Sequence, residues 1–266
     1  MTLTGRKVFS LITGASRGIG REIAVQLSKK VANGSSFLIT ARDATRLEQL
    51  KTELLKNNCE MDVHIVISDL ADLNAASLAE MENAISAAIL KATKFDALLL
   101  VHNAGTIGDI KKRASEISSA KDWRDFLQIN LIAMIQINNL VLRKVTAEVA
   151  DDRVIVNITS LFAVKSFPSF SQYSVAKAAR EAFFRSLAVE DSSLRILNYS
   201  PGPVQTSMYD DIATNSYDDS IRSSFKAKDG ETTRKALLPE ETVTKMISVL
   251  EANVYESGAR VDFFDD

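Results

Sequence analysis

Tyr173 and Lys177 stand four residues apart in the run Tyr-Ser-Val-Ala-Lys, a spacing that puts both side chains on one face of a helix. A phenol with its ordinary pKa of about 10 is a poor proton donor or acceptor near neutrality. An ammonium beside it favours the phenolate, so Lys177 is expected to draw the Tyr173 pKa down toward a working range. Ser160 follows an apolar run and offers a hydroxyl that can hold a carbonyl oxygen beside the phenol. A Tyr-x-x-x-Lys pair alone more often only packs and solvates a helix, and its meaning here depends on the motifs that precede it.

The first of these is Thr13-Gly14-Ala15-Ser16-Arg17-Gly18-Ile19-Gly20, directly after an apolar run and opening a helical pattern. Glycines in this position allow a tight turn, close approach of backbone to a pyrophosphate, and close helix-strand contact, while the helix N-terminus attracts the anion. Gly14-x-Ser16-x-Gly18 also matches a nucleophile elbow. A hydrolase of that type needs a histidine after its serine and acid. That histidine comes late in the chain, whereas here the last one is His102 and none stands in the remaining 164 residues, so a serine hydrolase is not expected. Past the second predicted strand, where a carboxylate would select NAD, the chain has Arg42 and then Asp43. Arg42 and Arg17 offer guanidinium forks for a 2′-phosphate, so NADP(H) is the expected cofactor.

Such residues need strand ends and helix starts to hold them, and the hydrophobic pattern supplies both. Short, nearly continuous apolar runs at 7–13, 37–40, 63–68, 97–102, 154–159, 194–200 and 260–262 read as strands buried on both faces. Amphipathic segments at 21–30, 44–56, 73–92, 125–149, 172–190 and 240–253 read as helices between them. The alternation predicts an α/β fold, a single Rossmann-type doubly wound parallel sheet with helices on both faces. One dinucleotide-binding and catalytic domain is expected over residues 1–266, with a flexible substrate flap at 205–235, where Ser, Asp, Thr and Lys interrupt the rhythm.

Composition narrows the function further. With 266 residues, 46% hydrophobic and 25% charged, the chain is long enough to bury its own core without staples. A net charge of -2 provides no basic field for nucleic acid. One cysteine, Cys59, and two histidines cannot close a four-ligand zinc site from nitrogen and sulfur, and no metal is expected. The N-terminal run at 8–12 is too short for a signal sequence, and no apolar stretch approaches the roughly 18 residues of a membrane helix. A cytoplasmic protein without membrane contact is expected.

In Thr13-Gly14-x-x-x-Gly18-Ile19-Gly20, Asp69-Leu70, Asn103-Ala104-Gly105, Asn130, Ser160, Tyr173-x-x-x-Lys177 and Pro201-Gly202, the chain resembles the short-chain dehydrogenase/reductase family over nearly its whole length. The resemblance implies a tetrad of Asn130, Ser160, Tyr173 and Lys177, with Tyr173 the general acid for reduction. It implies that Lys177 also binds the nicotinamide ribose and that Asn130 anchors a relay water. Asp69 and Leu70 would flank the adenine, Asn103, Ala104 and Gly105 would line the cofactor, and Val204, Gln205, Thr206 and Met208 would close over the nicotinamide. His102 departs from the pattern, where an asparagine is more usual.

Within the family, the tail Ser257-Gly258-Ala259-Arg260-Val261-Asp262-Phe263-Phe264-Asp265 is most similar to members that reduce pterin side-chain carbonyls in tetrahydrobiopterin synthesis. That resemblance assigns Asp262 to the pterin, whose 2-amino group and ring N–H are adjacent donors that one carboxylate can accept together. Leu161, Phe167, Phe170, Gly202 and Met208 are the other substrate-side candidates, although aromatic residues near a catalytic helix are as often core. Alternatives are a reductase of other small ketones or diketones, and a silent dinucleotide-binding regulator that would have no need of a tuned phenol. The resemblance also implies dimers or tetramers built by packing the helices that carry Asn130 and Tyr173, and of these a homodimer is expected.

Overall fold

The computed structural model describes residues 2–92, 94–226 and 236–265. Its centre is a parallel sheet of β1 (Val8–Thr13), β2 (Ser36–Ala41), β3 (Asp62–Ile67), β4 (Phe95–His102), β5 (Ala150–Ile158), β6 (Leu194–Ser200) and β7 (Arg260–Asp262), in the order β3-β2-β1-β4-β5-β6-β7. Every residue of β1 is buried, and of β4 only Asp96 is exposed, which explains why these strands read as apolar runs without alternation.

Helices cover both faces. On one side lie α1 (Gly18–Ser28), α2 (Ala44–Asn57) and a helix near the C-terminus, Pro239–Ala252; α3 (Ala75–Lys91) lies on the other. The buried residues Ile23, Ala24 and Leu27 of α1, and Leu47, Leu50 and Leu54 of α2, recur at three- and four-residue spacing and form the stripe each helix lays on the sheet. Side chains fix the starts: Asp43 accepts the Arg46 N–H, and Asn74 accepts the Ala76 and Ser77 N–H groups.

The predicted helix 125–149 is three pieces, α4 (Ala120–Leu127), a π-turn over Gln128–Ile132, and α5 (Ala133–Lys144). Within this Ala120–Lys144 run an 18-residue window has a mean hydropathy of 1.3, which meets the length and composition of a membrane span, contrary to the sequence expectation. Its residues Ala133, Met134, Ile137, Leu140 and Val141 nevertheless join the core beneath the sheet. The catalytic-helix candidate is α6 (Ser171–Glu190).

Residues 205–226 of the expected flap are mostly helical. They form α7 (Ser207–Asn215) and α8 (Asp219–Lys226), while Pro239–Ala252 is α9. The two flap helices are polar outside and bury Ile212 and Ile221 inside, with Phe225 and Met208 packed alongside, too few apolar positions to declare a helix in sequence. Residues 227–235 of the expected flap lie outside the described residues.

Candidate active site

The strand order reverses between β1 and β4, and at their carboxyl ends opens a crevice of about 1060 Å³. Thr13, the last residue of β1, seams it from below. Its Oγ1 accepts the Asn103 and Ala104 N–H groups, each at 3.1 Å, and Asn103 Nδ2 donates back to the carbonyls of Thr13 at 3.0 Å and Gly14 at 3.1 Å.

The glycine turn fits a dinucleotide on independent grounds. A Cβ on Gly20 would lie 2.4 Å from Asn103 Nδ2 and 2.5 Å from the Gly14 carbonyl, so that position is closed to any side chain. Gly18 has φ of 56° and Gly14 of 67°, where other residues are strained. Arg17 precedes α1 without a side-chain cap, and the first turn carries no acid, which leaves its N–H groups to an anion. Thr40 and Ser68 also line the crevice, with buried hydroxyls that have no protein partner.

Ser16, Arg17, Gly18 and Ile19 line the crevice, as do Arg42, Asp43, Asp69 and Leu70, followed by Asn103, Ala104 and Gly105. Gly20 serves it by packing. Asp43 is occupied as the cap of α2 and pairs with Arg46 at 3.3 Å, and Arg46 joins Arg17 and Arg42 on the wall, a third arginine that sequence reasoning missed. Val204, Gln205, Thr206 and Met208 close the far side, where Val204 bridges Leu237 and Gln205 N donates to the Leu237 carbonyl at 2.8 Å.

Ser160, Tyr173 and Lys177 meet at the floor of this crevice. Ser160 follows β5, and its Oγ accepts the Phe162 N–H at 3.2 Å and is hydrogen-bonded to the Tyr173 phenol. Lys177 Nζ lies 5.3 Å from the Tyr173 ring centre and donates to the Ile158 carbonyl at 2.6 Å. The electrostatics differ from the sequence expectation. Burial pushes the Tyr173 phenol up to about 12, and the cation that opposes this is Arg180, not Lys177. Burial also holds the Lys177 ammonium well below its ordinary range, Arg180 adding to the effect and Glu181 opposing it.

Asn130 is placed differently from its neighbours. It is 1% exposed inside the π-turn, where Oδ1 accepts the Thr106 N–H at 2.9 Å and Nδ2 donates to the Phe126 carbonyl at 3.0 Å. Its side chain holds the 103–106 loop and does not line the crevice, a frequent setting for a π-turn.

Leu161, Phe167, Gly202, Met208 and Asp262 line the substrate end, but Phe170 does not. Phe170 is fully buried and stacked at 4.2 Å behind Phe162, which takes the wall position that the sequence reading gave to Phe170. Asp262, at the end of β7, accepts Ser200 Oγ at 2.6 Å and Arg260 Nη2 at 3.1 Å on one oxygen, and the Phe264 N–H at 3.2 Å on the other.

The short chain dehydrogenase family model matches residues 9–216, the span from the glycine turn through Tyr173 and Lys177. The chain belongs to the short-chain dehydrogenase/reductase family. As a short-chain dehydrogenase/reductase it is an oxidoreductase that works with a nicotinamide dinucleotide. Among curated relatives, sepiapterin reductase of Xenopus tropicalis is 33% identical over 267 residues, covering 100% of both chains. Sepiapterin reductase of Rattus norvegicus is 32% identical over 255 residues, 96% of this chain and 95% of the relative. A short-chain dehydrogenase/reductase of Saccharomyces cerevisiae has the same fold, with a TM-score of 0.79 and 22% identity over 97% of this chain and 96% of that one. So does a short chain dehydrogenase of Shigella flexneri solved with NADP, with a TM-score of 0.76 and 22% identity over 99% of each chain.

Proposed function

We propose that this oxidoreductase reduces side-chain carbonyls of a pterin of the sepiapterin or 6-pyruvoyl-tetrahydropterin type with NADPH, as a step of tetrahydrobiopterin synthesis. The observation that carries the pterin reading is Asp262, a carboxylate on the wall of the crevice that also holds Ser160 and Tyr173. Full-length similarity to sepiapterin reductases supports the same reading. The flat ring would lie between Phe162, Phe167 and Met208, with its adjacent donors turned to Asp262. Arg17, Arg42 and Arg46 support NADPH over NADH, since Asp43, the carboxylate that follows Arg42 in the chain, is already engaged with its helix and with Arg46.

A nicotinamide dinucleotide held by the glycine turn and Lys177 would supply a hydride to the carbonyl carbon. Ser160 holds the carbonyl oxygen, and the Tyr173 O–H delivers the proton that completes the alcohol. Lys177, anchored on the Ile158 carbonyl at 2.6 Å, is placed to bind the nicotinamide ribose. The working unit in this reading is a cytoplasmic homodimer, and the exposed apolar residues Ile132 and Val175, on the π-turn and α6, support helix pairing.

The test is NADPH oxidation with sepiapterin against a panel of simple ketones and diketones. Clear preference for sepiapterin is expected. Preference for small diketones with no competition by pterin would replace this reading with a general carbonyl reductase.

A further inference from the structure

Arg260 and Asp262 stand two residues apart on β7, so their side chains leave the same face of the sheet. The Arg260 guanidinium lies between two carboxylates. Its Nη2 donates to Asp262 Oδ2 at 3.1 Å, and its Nε stands 3.5 Å from Glu181 Oε1. Glu181 is a buried residue of α6, one turn past Lys177. Its Oε1 also accepts the Thr159 hydroxyl at 2.6 Å, and its Oε2 pairs with Arg185 at 3.4 Å. Thr159 lines the crevice and immediately precedes Ser160. One guanidinium thus connects the carboxylate on the crevice wall with the helix that carries Tyr173 and Lys177.

The two contacts of the fork are unequal. Toward Glu181 the buried Nε makes no hydrogen bond, and Glu181 already has a hydroxyl and a second arginine. Toward Asp262 the fork makes a charge-assisted hydrogen bond on the oxygen that Ser200 also occupies, which leaves the remaining acceptor capacity mainly on Oδ1. Asp262 needs such a tie more than Glu181 does. Its strand is three residues long and forms the edge of the sheet, paired only with β6, whereas Glu181 sits on a helix of 20 residues. A ligand held at Asp262 and reacting at Tyr173 requires a fixed span between them, and small misplacements of such a pair are costly.

We propose that Arg260 is a positioning residue for specificity: by spanning Asp262 and Glu181 it holds the Asp262 carboxylate in register with the catalytic helix, so that a heterocycle offering adjacent N–H donors presents its side-chain carbonyl to Tyr173. The inference rests on the pterin reading of Asp262.

The experiment is a double-mutant cycle in the full-length protein, comparing wild type, Arg260→Met, Asp262→Asn and the double variant. Each is assayed for NADPH oxidation with sepiapterin and with diacetyl, and the readout is the ratio of the two kcat/KM values. Methionine keeps much of the apolar stem and removes the charge and the fork. In Arg260→Met the ratio should fall roughly 10-fold, through KM for sepiapterin rather than kcat, a size within the coupling found among members of one ion-pair network. In the Asp262→Asn background the same replacement should change the ratio by less than about twofold, because the anchor it positions is gone. An unmoved ratio in Arg260→Met would overturn the proposal, as would losses that simply multiply in the double variant. Parallel losses on both substrates with a lowered melting temperature would reduce Arg260 to a structural partner of Glu181. Should Arg260→Met not fold, Arg260→Lys decides: an ammonium keeps the charge but cannot span both carboxylates, so a wild-type ratio there would overturn the proposal and a several-fold fall would support it. The pterin reading fails by a different sign, an unmoved ratio in Asp262→Asn itself, and this inference then falls with it. A ratio that responds to Asp262→Asn and not to Arg260→Met refutes the role of Arg260 alone.

Discussion

Asp262→Asn isolates the contact that separates a pterin site from a generic carbonyl site. Two donors, Ser200 Oγ and Arg260 Nη2, converge on one carboxylate oxygen, at 2.6 and 3.1 Å. An asparagine in this place keeps its carbonyl on those donors, since the alternative sets its NH2 against a guanidinium. The NH2 is thereby forced onto the position of the second oxygen, where the present acceptor receives the Phe264 N–H at 3.2 Å and where the pterin donors would arrive. Donor then faces donor. Losing one charge-assisted hydrogen bond costs about 1.5 to 3 kcal/mol, roughly 10- to 100-fold in apparent affinity. Steady-state NADPH oxidation should show KM for sepiapterin raised by that factor, with kcat/KM for a small diketone nearly unchanged. Equal losses on both substrates would make Asp262 structural, and no loss on either would place the pterin elsewhere. Either result refutes the assignment of the anchor.

Three further outcomes can be measured directly. Tyr173→Phe keeps the ring edge against Phe162, at 6.1 Å between centres, and should bind NADPH normally while losing about 10²- to 10⁴-fold in turnover; near-normal turnover would remove Tyr173 from the reaction. Arg42→Ala should weaken NADPH much more than NADH in fluorescence titrations, and equal weakening would mean that Arg42 acts through the fold. His102 is neutral when folded, with a pKa of about 3 against about 6.5 unfolded, so the unfolded state binds the extra proton between these values and stability declines as pH falls through that window. Denaturant titrations of His102→Asn should therefore show a shallower acid slope, by at most about 1.4 kcal/mol per pH unit, and an unchanged slope would assign acid sensitivity to other groups.

The sheet and the glycine turn were legible because their causes are local. Continuous apolar runs mark strands covered on both faces, and Gly14, Gly18 and Gly20 occupy places where a side chain is strained or has no room. The Tyr173 and Lys177 pairing follows from helical spacing alone. What escaped the sequence is electrostatic or layered. Arg180 lies on the same helical face, seven residues past Tyr173, a signal present in the spacing but indistinguishable from a solvated arginine until its burial is known. The tuning of Tyr173 was misassigned for the same reason, since the cation next to it along the helix is not the one that acts on it most. Phe162 and Phe170 differ only in which stands in front, and α7 and α8 hide in polar composition because each buries a single residue deeply.

The Thr13 and Asn103 seam bears on how the molecule assembles and holds its ligand. Adenosine-side residues come from β1 to β3 and reaction-side residues from β4 to β7, so neither half of the crevice is complete until β1 closes on β4. The Ser10 hydroxyl bond to the Leu99 carbonyl spans 89 residues, a non-local closure whose entropy must be met before the crevice can form. A dinucleotide bound across this junction would act as a clasp between two sequence-remote halves, and its binding free energy would add to the native state by mass action. The amides of Asn103 and Ala104, which both rest on one threonine hydroxyl, are then the natural reporters of occupancy. Their hydrogen exchange should slow with ligand concentration, in step with a rising melting temperature, while exposed turns far from the junction continue to exchange as before.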